Sequence, residues 1–252
     1  MSRSKIGRMR GVKTPGTKVD HLPNRVPLGN VQSKSYRGLV ALANFIAQDR
    51  ADLGFAAKEV SKTMSDPAEC DVPPLKRLGR YLTEHPRCVN LMKWQSYPSS
   101  WDCFSDSDWG GDLGTRRSTS GGCILFGHHM LSSWSRTQQV ISLSSAEAEL
   151  HGLTKCASEG LAAKKMGEAC FIDIPMRLLT DSSAAKGIIM RNVVGKVKHL
   201  EVKCLWVQEQ ESVGDFVCVK IPRLENCADL LTHHYSESEG QLHLARMGLV
   251  LR

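Results

Sequence analysis

The order of β-type runs and helical segments in this 252-residue chain predicts an α/β fold built on a mixed sheet. Three observations predict it. After Pro86 short apolar runs alternate with Gly/Ser/Asp turns, the grammar of an antiparallel meander. A long helical stretch follows from Ser144 to about Gly167. Apolar strands and short helices then alternate toward the C-terminus.

Each element follows from its local pattern. Residues 1 to 34 hold eight Lys/Arg and one acid, leaving 25 basic and 25 acidic residues elsewhere, so the net charge of +7 sits in this arm. Its Gly, Pro, Ser and Thr content (GVKTPGTKV, HLPNRVPLGN) reads as a flexible linker able to touch phosphate nonspecifically, or as a solvated tail. From Ser35 to about His85 the text is helical. YRGLVALANFIAQ, LGFAAKEVSKTMS and LKRLGRYLTEHP are the expected helices, with DRAD as the first turn and Leu39, Ala43, Phe45 and Ile46 as the first apolar stripe. This unit is too short to bury much alone and is expected to lean on its neighbour.

VNLMKW, WDCFSDSDW, GGCILFGHH and MLSSWSR are the expected strands of the meander. After the long helix, MRLLTD reads as a buried strand, DSSAAKGIIM as a short helix and KHLEVKCLWVQEQES as another; DFVCVKIPRL closes the sheet, and ENCADLLTHH starts a last helix. The divisions expected are a basic arm (1–34), a helical segment (35–95), a main α/β domain (96–238) and a helical tail (239–252).

Composition narrows the class. At 41% hydrophobic residues the chain can bury a real core. No run of eighteen apolar residues and no secretory signal occurs, so an intracellular protein, cytoplasmic or nuclear, with no membrane partner is expected. The nine cysteines are scattered without a CxxC pair, which argues against a zinc ribbon and for small core residues.

Four carboxylates carry the chemistry. The stretch FSDSDWGGDLGTRRSTSG begins at Phe104, and strand alternation points Phe104, Asp106 and Asp108 the same way, so carboxylates share a side with an apolar residue. Ser144 and Glu147 match the S-x-x-E capping box. Glu149, between Ala146 and Leu153 at helical spacing, is aimed at the sheet or snorkels at the stripe's edge. Asp181 ends an apolar strand, a recurrent place for ligand groups, and could equally cap the helix near Ser183. Asp229 has a similar alternative in an imperfect capping box with Asn226. Converging carboxylates raise each other's pKa values unless divalent cations neutralise them. Mg²⁺, which takes hard oxygen ligands, suits such a cluster and suits phosphodiester hydrolysis, where two ions about 3.5 to 4 Å apart act together.

FSDSDWGGDLGTRRSTSGGCILFG, ISLSSAEAEL, LLTDSSAA, KVKHLEV and CADLLTH, in this order, closely resemble the ribonuclease H domain at the end of Pol polyproteins from copia-type LTR retrotransposons. Upstream, YRGLVALANFIAQDRADLGFAAKEVS and LKRLGRYL are similar to the segment joining the polymerase to that domain, and the resemblance runs from about Thr14 to the C-terminus. It implies a ribonuclease H-like fold, α/β with a five-stranded mixed sheet and flanking helices, that cuts the RNA strand of RNA/DNA hybrids. The family's four metal-binding acids fall on Asp106, Glu149, Asp181 and Asp229, holding two Mg²⁺ ions with Mn²⁺ as a substitute; Asp108 would stand beside them. Polymerisation is not expected, because no tyrosine-x-aspartate-aspartate motif occurs. The chain is expected to be a truncated copy whose missing partner, the polymerase part of Pol, leaves an apolar helical face exposed.

Arg116 and Arg117, in a turn between the first strands, and Lys196, Lys198 and His199, ahead of a helix, are candidate phosphate contacts. A hybrid would be read by groove shape and 2′-hydroxyls, with little sequence preference. His128, His129, His233 and His234 are expected to be surface or loop residues. The rival reading is a nucleic-acid-binding remnant whose site no longer assembles. An integrase or transposase on the same general fold fits the motif order less well.

Overall fold

A computed structural model describes residues 10–18, 24–191 and 202–252. Three helices come first: α1 (Asn30–Ala47), α2 (Ala51–Ser61) and α3 (Val72–Glu84). Strand β1 (Cys88–Asn90) leads to the meander β2 (Trp101–Ser107), β3 (Thr119–Phe126) and β4 (His129–Thr137). The long helix α4 (Ser145–Ala169), β5 (Met176–Thr180), α5 (Ser183–Ile189), α6 (Val202–Ser212) and β6 (Val217–Lys220) follow, and α7 (Glu237–Arg246) and β7 (Leu249–Leu251) end the chain.

The main sheet has five strands in the order β4-β3-β2-β5-β6. β2 pairs antiparallel with β3 and parallel with β5, which pairs parallel with β6. This is the expected α/β class with a five-stranded mixed sheet. Side-chain alternation sends Trp101, Cys103, Ile124, Met176 and Leu178 toward α4, where they pack on Leu150, Leu153, Cys156 and Ala157. Cys123 and Leu125 of β3 point the other way, onto Leu230, Leu231, Leu244 and Met247. The sheet is therefore buried on both faces.

Two expectations about strands and helices are corrected. VNLMKW is not part of the meander: β1 pairs antiparallel with β7, Cys88 opposite Leu251, in a separate two-stranded sheet. Its partner lies at the far end of the chain, which no local pattern reveals. ENCADLLTHH forms only a 3₁₀ turn, Cys227–Leu231, before the last helix begins at Glu237. That turn sits directly on β3, because a Cβ on Gly121 would stand 2.8 Å from Leu231 Cβ and Thr232 Cγ2.

The helical unit also differs in detail. α1 starts at Asn30, ahead of Ser35, and its inward stripe is Tyr36, Val40 and Ala43, with the Tyr36 hydroxyl donating to Val60 O at 2.8 Å. Leu39 and Phe45, expected inside, are 56% and 70% exposed. α1 carries two apolar stripes, and the pairing with α2 buries only one. Of the arm, residues 10–18 meet α3: Arg80 Nε donates to Arg10 O at 2.7 Å, Arg77 to Thr14 Oγ1 at 2.7 Å, and Lys13 pairs with Glu84 at 2.8 Å.

DRAD holds more than a turn. Arg50 and Asp52 form a buried bidentate pair at 2.9 and 2.6 Å, Tyr81 donates to the same carboxylate at 2.9 Å, and Tyr235 donates to Asp52 O at 2.8 Å. Asp52 thus joins α2 to α3 and to the segment before α7. Removing one partner strands the other charge, so Asp52→Ala is expected to cost about 3 to 5 kcal/mol, read from the urea midpoint. A loss below about 1 kcal/mol, the size of an exposed pair, would contradict this.

Candidate active site

The parallel pairing of β2 with β5 sets the site. Phe104 lies opposite Leu179, so the carboxyl ends of both strands finish side by side. Asp106, near the end of β2, and Asp181, one residue past β5, emerge next to each other where the sheet changes strand direction. Two further elements close over this edge.

α4 comes from one face. A Cβ on Gly152 would stand 3.1 Å from Ser105 Oγ and 3.3 Å from Asp106 O, so the missing side chain lets α4 lie close on β2 and carry Glu149 to its end. The Gln138 side-chain amide fixes the approach, with its nitrogen 2.8 Å from Ala148 O, 2.9 Å from Ser120 Oγ and 3.0 Å from Ser107 Oγ. The 3₁₀ turn comes from the other face and brings Asp229. Asn226, fully buried, caps it at Ala228 N (3.2 Å) and donates to Ser105 O at 2.9 Å.

Ligand atoms of Asp106, Glu149 and Asp181 lie within 4.8 Å of one another, and so do those of Asp106, Asp229 and His233. All four acids singled out in the sequence converge, with Asp106 common to both groups. Burial, and then the Asp229 and Asp181 charges, push Asp106 up to about 7 despite a hydrogen bond from Thr232. Burial and the Asp106 and Asp181 charges push Glu149 up to about 9, and burial and Asp229 raise Asp181. Glu149 Oε2 is buried and has no hydrogen-bond partner among the described residues. Hard oxygens held together against their mutual repulsion, one of them orphaned, fit a divalent cation.

The capping alternatives are taken by other residues. Ser182, not Asp181, caps α5, accepting from Ala185 N at 3.2 Å. Glu147 uses its amide on Ser144 Oγ (3.2 Å), while its carboxylate accepts from Leu143 N (2.8 Å), one residue beyond a capping box. Asp229 pairs with Arg223 at 3.5 Å and His233 at 3.5 Å.

Asp108 leaves the cluster. β2 ends at Ser107, and the Asp108 carboxylate accepts from Thr119 N. Lys58 lies beside it, with Nζ 2.7 Å from Thr119 Oγ1, and Lys62 pairs with Asp112 at 2.7 Å, so α2 holds the β2–β3 connection. Arg116 and Arg117 are exposed in that connection, Arg116 with φ 58°. Lys196, Lys198 and His199 lie outside the described residues.

Sequence reasoning missed Arg223, Thr232 and His233. His233 lies in a loop, as expected, but it has a carboxylate partner, and Asp229, four residues before it, was the signal. His234 also turns inward, packing edge-on against Phe55 with ring centroids 4.8 Å apart; burial pushes it down to about 4. Arg223 and Thr232 are ordinary in sequence and matter only because the 3₁₀ turn folds over Asp106.

Fold and site together define an α/β protein with a five-stranded mixed sheet and an acid cluster at the carboxyl edge of that sheet. The chain is related to the retrovirus-related Pol polyproteins of copia-type transposons. It is 27% identical over 217 residues to that of transposon RE1 and over 218 residues to that of RE2, both from Arabidopsis thaliana; each match covers 85% of this chain. The chain spans about 15% of the length of these curated relatives. No family model matches it. Among solved structures, LC11-RNase H1, isolated from compost, is similar at TM-score 0.42 and 20% identity, over 53% of this chain and 93% of that one. Among the described residues no helix is long and apolar enough to cross a membrane.

Raised folded-state values for Asp106 and Glu149 mean that their contribution to stability is complete below about pH 4 and is lost as pH rises through about 7 and then about 9. In EDTA the Tm is expected to fall across that window, less steeply in Glu149→Gln, and saturating Mg²⁺ is expected to flatten the fall. A fall in EDTA no shallower in Glu149→Gln than in the wild type would contradict this electrostatic account.

Proposed function

We propose that this chain is a Mg²⁺-dependent ribonuclease H that hydrolyses the RNA strand of RNA/DNA hybrids. The observation that carries the reading is the convergence of Asp106, Glu149, Asp181 and Asp229 from four separate elements onto one sheet edge. The relationship to Pol polyproteins supports it.

In this reading Asp106, Glu149, Asp181 and Asp229 hold two Mg²⁺ ions, for which Mn²⁺ can substitute. Bound divalent cations supply the activation of a water and the steadying of the leaving oxygen in phosphodiester hydrolysis. The chain's own residues orient and hold. Thr232 fixes the Asp106 carboxylate by donating to Oδ2, and Gln138 fixes the start of α4 that presents Glu149. Arg223, exposed and paired with Asp229, offers a guanidinium to a backbone phosphate at the site, while Arg116 and Arg117 stand on the β2–β3 connection for phosphates farther along the hybrid. The exposed Leu39, Leu42 and Phe45 of α1 suit an apolar partner, which in this reading is the polymerase part of Pol.

The test is cleavage of a labelled RNA/DNA hybrid by the purified chain. Metal-dependent cutting of the RNA strand is expected, abolished by EDTA. Asp181→Asn is expected to cut at least about 100-fold slower, the upper range of what disturbing a ligand's supporting partner costs. Cleavage by Asp181→Asn at the wild-type rate would overturn the site. Hybrid binding without cleavage by the folded chain would assign it instead as a non-catalytic nucleic-acid-binding remnant.

A further inference from the structure

The two candidate cation groups are chemically different. Asp106, Glu149 and Asp181 offer oxygen alone, whereas Asp106, Asp229 and His233 offer two oxygens and an imidazole nitrogen. We propose that His233 is a metal ligand through Nε2, so that the pair of cation positions sharing Asp106 consists of one all-oxygen position and one mixed oxygen and nitrogen position. This rests on the metal-dependent reading above and extends it to a residue outside the four acids.

Local geometry aims the imidazole. His233 Nε2 lies 3.5 Å from Asp229 Oδ2, four residues earlier along the turn, and the side chain is 37% exposed, open to an incoming ion. Its other nitrogen, Nδ1, is 3.3 Å from Thr232 Oγ1. The Thr232 hydroxyl is 1% exposed as a residue and has one proton, which it gives to Asp106 Oδ2 in its shortest contact. Toward His233 that oxygen can then only accept, which places the ring proton on Nδ1 and leaves the Nε2 lone pair facing Asp229. Hydrogen bonding at one ring nitrogen to fix the tautomer at the other is how protein scaffolds prepare a ligating histidine. Thr232 therefore touches both ends of the group, orienting Asp106 and His233 together.

The donor set has a consequence for metal choice. Mg²⁺ takes oxygen and gains little from imidazole, while affinity for nitrogen donors rises through the later first-row divalent ions. A position containing His233 is expected to favour Co²⁺ or Zn²⁺ over Mg²⁺ more than the Asp106, Glu149 and Asp181 position does. His243, 3% exposed, also approaches Asp229, with Nε2 at 3.9 Å from Oδ2, and is the competing imidazole to control for among the described residues.

The experiment is pulsed electron paramagnetic resonance on Mn²⁺ bound to the full chain, without substrate, in wild type, His233→Gln, His243→Gln and Glu149→Gln. Nitrogen-14 modulation from a directly bound imidazole is expected in wild type and in Glu149→Gln, and its loss in His233→Gln while Mn²⁺ remains bound. Calorimetric titration is expected to show that His233→Gln lowers Co²⁺ affinity by about tenfold and Mg²⁺ affinity much less. Bound Mn²⁺ without nitrogen modulation in wild type, modulation that survives in His233→Gln, or equal losses for Co²⁺ and Mg²⁺ would overturn the proposal. Failure to bind any Mn²⁺ would overturn both this assignment and the metal-dependent reading. Nitrogen-ligated Mn²⁺ in a chain that does not cut hybrids would leave His233 assigned and refute only the nuclease.

Discussion

The site depends on a change of strand direction at β2. On one side β2 runs antiparallel to β3, and on the other it runs parallel to β5. Parallel pairing requires a long crossover, and the stretch through β3, β4 and α4 supplies it, with α4 lying across the face of β2. Its last leg, α4, is therefore both the link from β4 to β5 and the source of Glu149. Because the two parallel strands end together, Asp106 and Asp181 are brought into one place by backbone pairing before any side-chain contact forms.

That convergence is costly without a counter-charge, and the protein answers it in several weak ways. Glu149 sits in the early turns of α4, near the positive end of its dipole. Thr232 donates to Asp106, and Arg223 lies against Asp229. These are insufficient: Asp106, Glu149 and Asp181 stay shifted toward their protonated forms, and Glu149 Oε2 stays without a partner among the described residues. A cluster that is rigidly placed and electrostatically unsatisfied offers the hard oxygen donors that a divalent cation takes.

The helical unit is joined to this scaffold by polar contacts at two separate places. Lys58 of α2 and Lys62 just past its end hold Thr119 and Asp112 beside the site, and the Arg50, Asp52, Tyr81 and Tyr235 network ties α2 and α3 to the segment before α7. Lys58 is mostly buried, so desolvation lowers its pKa even beside Glu59. The helices thus brace the connection that follows Asp106 while leaving one apolar stripe of α1 outward.

Much of this was legible in the sequence because it is local or strongly patterned. Alternation in WDCFSDS and GGCILFG, the Ser144 cap and the apolar run MRLLT fix strands and helix where they are found. The four acids stood out because each put a carboxylate beside apolar residues. The capping alternatives for Asp181 and Asp229 could not be resolved there, since Ser182 and Asn226 satisfy the same local rule. Which stripe of α1 is buried, the pairing of β1 with β7, and the roles of Thr232 and His233 were decided only by tertiary structure. In each case the deciding partner is remote along the chain, and periodicity reports which residues share a face without reporting what that face will meet.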